Sequence, residues 1–171
     1  ELDMPGLREG LAGLMKTCAN DACFDGTKYI IEPGRYLVGE SGVYVTRIND
    51  IKTSRGRKYY IADGGMHHHL AASGNLGQVI KRNFPVTIAT KLASGATETV
   101  DVVGPLCTPL DVLARNVELP ESNVGDLLVF FQSGAYARTA SPLGFLSHPT
   151  PPEVLVEYGQ ARVIRPRENL W

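Results

Sequence analysis

Val43-Tyr44-Val45-Thr46-Arg47-Ile48 and Lys58-Tyr59-Tyr60-Ile61-Ala62, parted by the turn-forming Ser54-Arg55-Gly56, decide the fold. Both runs are β-branched and aromatic, the composition of a pleated, half-buried strand. The same texture continues downstream at Val86–Ala89, Thr97–Val103 and Asp126–Phe131. Clusters of glycine, proline, asparagine and serine, such as Ala93-Ser94-Gly95, separate the runs. Many short strands with that punctuation predict a mainly β domain, a Greek-key-like barrel or sandwich. One helical turn is expected near Asp111–Ala114.

Upstream the pattern differs. Asp3 and Pro5 stand where a cap and a first-turn proline belong. Leu7, Leu11, Leu14 and Met15 then share one helical face, and the helix is expected to end near Asn20, before Asp25-Gly26. Lys28 to Ile31 reads as a short buried strand, broken by Pro33-Gly34. One helix and one strand are the last unit of an α/β pattern. The chain therefore divides into residues 1–40, an α/β remnant, and residues 41–171, a β domain, with the boundary near Gly39–Gly42. It starts Glu1-Leu2-Asp3-Met4-Pro5 with no initiator methionine, as expected of a fragment or a processed chain.

The 171 residues are 43% hydrophobic and 20% charged, with a net charge of −1. That length buries a core without staples. The balance gives no broad field for nucleic acid or a membrane surface. No apolar run is long enough to span a bilayer, and no signal pattern opens the chain. Cys18, Cys23 and Cys107 have no metal-type spacing, and a reducing cytoplasm is the simplest location.

Four clusters could carry chemistry. In Glu32-Pro33-Gly34-Arg35 the glycine opens the backbone to an anion and the arginine can fork onto a phosphate or carboxylate; a plain turn with a surface arginine is the alternative. At the C-terminal end of a barrel strand such a cluster faces an active site. Asp63-Gly64-Gly65-Met66 leads into His67-His68-His69. On an extended strand only His67 and His69 share a face, and no supporting ligand lies at a useful spacing, so no metal is expected. A strand-end turn with hydrogen-bonded imidazoles is the alternative.

Gly104-Pro105-Leu106-Cys107-Thr108-Pro109 holds a cysteine between two prolines. It is either inert packing or a thiol fixed for proton transfer or attack, and no histidine base is indicated for it. Gly134-Ala135-Tyr136 can present a phenol to a ligand oxygen, although many such tyrosines are simply half-buried.

Taken in order, Glu32-Pro33-Gly34-Arg35, Asp63-Gly64-Gly65-Met66, Gly104-Pro105-Leu106-Cys107 and Ser133-Gly134-Ala135-Tyr136 resemble the fold type III decarboxylases. These are the relatives of diaminopimelate, ornithine and arginine decarboxylase. The resemblance runs from about Lys28 to Pro152, and the preceding helix is similar to the last of their (β/α)8 barrel. It implies pyridoxal 5'-phosphate as cofactor and a head-to-tail homodimer with shared active sites. Glu32 is then the charge partner of the pyridine nitrogen, which makes the ring an electron sink. Gly34 and Arg35 lie by the phosphate, with Arg35 also within reach of substrate, and Tyr136 hydrogen-bonds the phosphate. Cys107 reaches into the partner's site as general acid, returning a proton to the reacting carbon.

Two departures from that family refine the expectation. Its Schiff-base lysine belongs to the start of the barrel, and Lys16, Lys28, Lys52, Lys58, Lys81 and Lys91 do not sit in that context, so the chain alone is expected to be inert. The residue after the cysteine is an acid that pairs with a distal ammonium in the diamino-acid enzymes; here it is Thr108. An unpaired buried ammonium costs on the order of 3–5 kcal/mol, two or more decades in affinity. The arginine and tyrosine that hold a distal carboxylate align with Ala71 and Asn75, leaving Asp111 as the nearby candidate acid.

The Cys-Thr-Pro loop and the histidine run resemble a bacterial subgroup of secondary-metabolism and exopolysaccharide or exosortase loci. Some of its members act on aminoacyl groups of an acyl carrier protein. The expected substrate is an α-amino acid with a masked distal end, such as a glutamyl thioester on that carrier, with Arg35, Thr108, Asp111 and Tyr136 around it. The alternatives are a free diamino acid, or a non-catalytic regulatory homologue.

Overall fold

The computed structural model describes residues 2–92 and 96–168; the Ala93-Ser94-Gly95 turn lies outside them. Six strands form the main sheet: β1 Tyr44–Ser54, β2 Arg57–Ala62, β3 Val86–Ile88, β4 Thr97–Val103, β5 Val112–Pro120 and β6 Leu127–Phe130. Their order is β3-β6-β1-β2-β4-β5. β2 and β4 run parallel and the other neighbours antiparallel. The edge strands β3 and β5 also meet, which curls the sheet into a nearly closed barrel and leaves little open edge.

Strand alternation builds the core. In β1, Tyr44, Thr46 and Ile48 point inward while Val45 and Arg47 face out. Ile48, Tyr60, Ile88, Val102, Leu113, Leu128 and Phe130 are completely buried. The Tyr60 hydroxyl donates to Glu98, accepts the Ser122 amide at 3.1 Å, and has its pKa pushed up to about 12 by burial and by Glu98. Lys58 closes the group with an ion pair to Glu98 at 2.5 Å.

Five strands form where the sequence predicts them, with β1 running on to Ser54. The helical turn expected at Asp111–Ala114 is instead the start of β5, because Val112 and Ala114 pair with Val103 and Val102. Cross-strand pairing overrides the local preference. A second sheet stands beyond the strands that the sequence predicts: β7 Glu153–Glu157 and β8 Gln160–Arg165 form a hairpin across Tyr158-Gly159, both at positive φ. That two-residue geometry matches the twist of a hairpin.

Helix α1 spans Met4–Ala19, with the Asp3 carboxylate accepting the Gly6 amide at 3.0 Å and Pro5 in the first turn. Its apolar face stays open, since Leu14 and Met15 are exposed and Cys18 alone is buried. The strand expected at Lys28–Ile31 is not formed. No described strand runs beside these residues to complete a ladder, and Ile30 is 80% exposed. Gly34–Val38 is instead a short helix, α2, which leads through the turn Gly39–Ser41 into β1. No helix among the described residues is long and apolar enough to cross a membrane.

Candidate active site

Asp111, at the entrance to β5, organises the loop that carries Cys107. Its carboxylate is buried and accepts the Met66 amide at 2.6 Å and the Leu106 amide at 2.9 Å. Burial holds its pKa up against those two amides. Gly65 and Gly104 flank this carboxylate so closely that a Cβ at either would collide with it. The Asp-Gly-Gly-Met and Gly-Pro-Leu-Cys segments are therefore two loops clamped on one anion. Both Asp111 oxygens are thus committed to backbone amides, and the side chain is buried.

Cys107 stands exposed at the tip of the clamped loop as a free thiol. Thr108 turns its hydroxyl back to accept the Leu110 amide at 3.3 Å, within its own turn. Asn75 ties the loop from the other side, donating to the Leu110 carbonyl at 2.9 Å, while Ala71 is buried in the core.

A second group gathers around α2. Arg35 places its guanidinium 5.2 Å from the Tyr136 ring and 5.9 Å from the Phe84 ring. Glu32, Gly34, Arg35 and Tyr136 line one open cleft of about 450 Å³. Two backbone bonds hold its walls together: Ser133 N–H to the Gly42 carbonyl and Gly134 N–H to the Gly39 carbonyl, each 2.9 Å. Stacking pre-orders the arginine and leaves its forked donors for an anion. A permanent cation beside a phenol suits a phosphate, so these residues fit the phosphate end of pyridoxal phosphate. Cys107, Thr108 and Asp111 do not line this cleft.

The histidines form a turn, not an extended strand, with the His68 and His69 amides both bonded to the Gly65 carbonyl at 2.9 and 3.1 Å. His68 sits between the Tyr44 hydroxyl at 3.2 Å and the Pro149 carbonyl at 2.9 Å. The carbonyl requires a proton on Nε2, so Nδ1 accepts from the phenol. His69 Nδ1 accepts the Ala72 amide at 3.3 Å, and its Nε2 donates to Ser133 Oγ at 2.9 Å, bracing the Ser133–Tyr136 segment. Burial and the nearby Arg35 pull its pKa down to about 4. His67 is fully buried, with its ring 3.9 Å from that of His68 and 4.9 Å from that of His148, and neither nitrogen has a partner among the described residues. Burial, with the neighbouring imidazoles, depresses its pKa to about 3. The bracing by His69 escaped the sequence reading, because pairing across 64 positions leaves no local mark.

The curled sheet thus carries a thiol on a loop clamped by Asp111 and, apart from it, an arginine–tyrosine cleft able to hold an anion. Residues 7–134 match the family described as the C-terminal sheet domain of pyridoxal-dependent decarboxylases, and the chain belongs to that family. It is 45% identical over 150 residues to the L-glutamyl-[BtrI acyl-carrier protein] decarboxylase of Niallia circulans, covering 86% of this chain and 35% of that protein. It is 34% identical over 170 residues to the diaminopimelate decarboxylase of Methanothermobacter thermautotrophicus, covering 98% of this chain and 38% of that one. The crystal structure of diaminopimelate decarboxylase from M. jannaschii superposes with a TM-score of 0.70 at 27% identity, covering 78% of this chain and 29% of that chain. The chain thus spans 35% and 38% of the length of these two curated relatives.

Proposed function

We propose that this chain supplies the C-terminal part of a pyridoxal-phosphate-dependent decarboxylase for an α-amino acid whose distal end is masked, as in a glutamyl thioester on an acyl carrier protein. Thr108 carries the substrate reading: its hydroxyl is spent within its own turn, and no acid stands at that position to meet a distal ammonium. Ala71 and Asn75 point the same way, being a buried methyl and an amide already bonded to Leu110 and Lys81. The 45% identity to a glutamyl-carrier decarboxylase adds support.

The bound cofactor would withdraw electrons from the carbon that loses carbon dioxide. Arg35 and Tyr136 would grip its phosphate, Gly34 would admit it, and Glu32 would stand near its ring nitrogen. Cys107, exposed on a loop held rigid by Asp111, would donate the proton that replaces the carboxyl group. Its separation from the Arg35 cleft fits a homodimer in which each subunit lends its thiol to the other's site. With a division near residues 39–42, Glu32, Gly34 and Arg35 would belong to the barrel remnant, and Tyr136 and Cys107 to the β domain. A cytoplasmic enzyme suits the three free thiols.

The test is steady-state turnover by the complete enzyme of glutamyl-carrier thioester, free lysine, ornithine and diaminopimelate. The carrier conjugate should be preferred by at least about a hundredfold in kcat/KM. Comparable turnover of any free diamino acid would overturn the masked-substrate reading.

A further inference from the structure

Beside the Cys107 loop lies a basic strip that the chemistry above does not use. Lys81, Arg82 and Arg115 are exposed around a groove of about 270 Å³. Asn83 locks its two walls together, donating to the Arg115 carbonyl at 2.7 Å and accepting the Arg115 amide at 3.0 Å. Among the described residues, neither Arg82 nor Arg115 has a carboxylate partner. Lys81 donates to Asn75 at 2.9 Å, and Asn75 donates to Leu110, so the strip is one side chain away from the thiol loop. Val79 and Ile80 adjoin it, 100% and 73% exposed.

The chain's net charge is only −1, so this concentration of cations is local. Bare aliphatic residues beside unpaired cations suit a protein partner with an apolar contact and an acidic rim. The groove lines no aromatic ring on which bases could stack, which disfavours nucleic acid. A twofold contact through the strip itself would oppose like charges, which disfavours a second copy there.

We propose that Val79, Ile80, Arg82 and Arg115 form the docking face for the carrier protein that presents the thioester substrate, contacting an acidic surface on it. The thioester it carries would pass Lys81 and Asn75 on the way to Cys107. This assignment rests on the masked-substrate reading.

The decisive experiment uses the complete enzyme carrying Arg82→Glu and Arg115→Glu together. It compares glutamyl-carrier thioester with the glutamyl thioester of N-acetylcysteamine, which lacks the carrier. The ratio of kcat/KM for the carrier substrate over the small thioester should fall about tenfold or more. In the wild type the same ratio should fall as salt rises, since rim charges steer association. Val79→Ser with Ile80→Ser should lower it independently. An unchanged ratio in both variants overturns the docking face while leaving the substrate reading intact. Loss of both activities together with dissociation of the enzyme also overturns it, placing the strip inside the enzyme's own interface. A wild type that turns over neither thioester, yet decarboxylates a free diamino acid, overturns both.

Discussion

Asp111 Oδ1 accepts the backbone amide of Met66 at 2.6 Å across 45 residues of sequence, while its other oxygen holds Leu106, the neighbour of Cys107. The buried carboxylate thus sets the position of the thiol from behind. Asp111→Ala strands two buried amides and should cost about 3 kcal/mol in chemical denaturation. Asp111→Asn, which turns a donor toward an amide, should cost about 1–2 kcal/mol. A loss below about 0.5 kcal/mol in both would show that the clamp is dispensable.

His67 and His68 are adjacent, yet their replacement should act in opposite directions. His68→Leu leaves the Tyr44 hydroxyl and the Pro149 carbonyl without their partner and should destabilise by about 2 kcal/mol. His67→Leu removes a buried ring with no hydrogen bond among the described residues and should be neutral or stabilising by about 1 kcal/mol. Equal losses in the two variants would contradict this assignment.

Stability should fall in acid because of the same turn. His67, His68 and His69 all have pKa values lowered by burial, to about 3 for His67 and about 4 for His69. Below about pH 6.5 the unfolded chain takes up protons that the folded chain refuses, so full stability holds above that pH. Each such histidine removes about 1.4 kcal/mol per pH unit from there down to its folded pKa. Denaturation midpoints at pH 7.5 and 5 report the difference. A flat midpoint would show that these imidazoles titrate normally in the fold.

Arg35 and Tyr136 should control cofactor affinity. Arg35→Ala removes the permanent cation of the cleft and should raise the cofactor Kd about tenfold to a hundredfold, while Tyr136→Phe should raise it about fivefold. Fluorescence titration of the apoenzyme measures both. Values within twofold of the wild type would remove these residues from the phosphate site.

Much of this was legible in the sequence, and the misses share a cause. Val43–Ile48 and Lys58–Ala62 announced strands because β-branched and aromatic residues alternate there, and the structure buries every second residue of Tyr44 to Ile48. Asp3 and Pro5 likewise fixed the start of α1 by purely local chemistry. Lys28–Ile31 has strand composition but no ladder partner, and composition alone cannot provide one. Asp111–Ala114 gives no local strand signal, because its register with Val102 and Val103 is a long-range property. Tyr158-Gly159, between two alternating runs, is a local hairpin signal. At the site, residue types and their order were readable, whereas the inward turn of Asp111 and the bracing of Ser133 by His69 depend on contacts 45 and 64 residues apart.

The most direct test of the account is the Cys107→Ala variant of the complete enzyme, assayed on its preferred substrate. Cys107 as proton donor predicts unchanged cofactor binding and a kcat lowered by about 10²–10⁴-fold. A kcat within threefold of the wild type would contradict it.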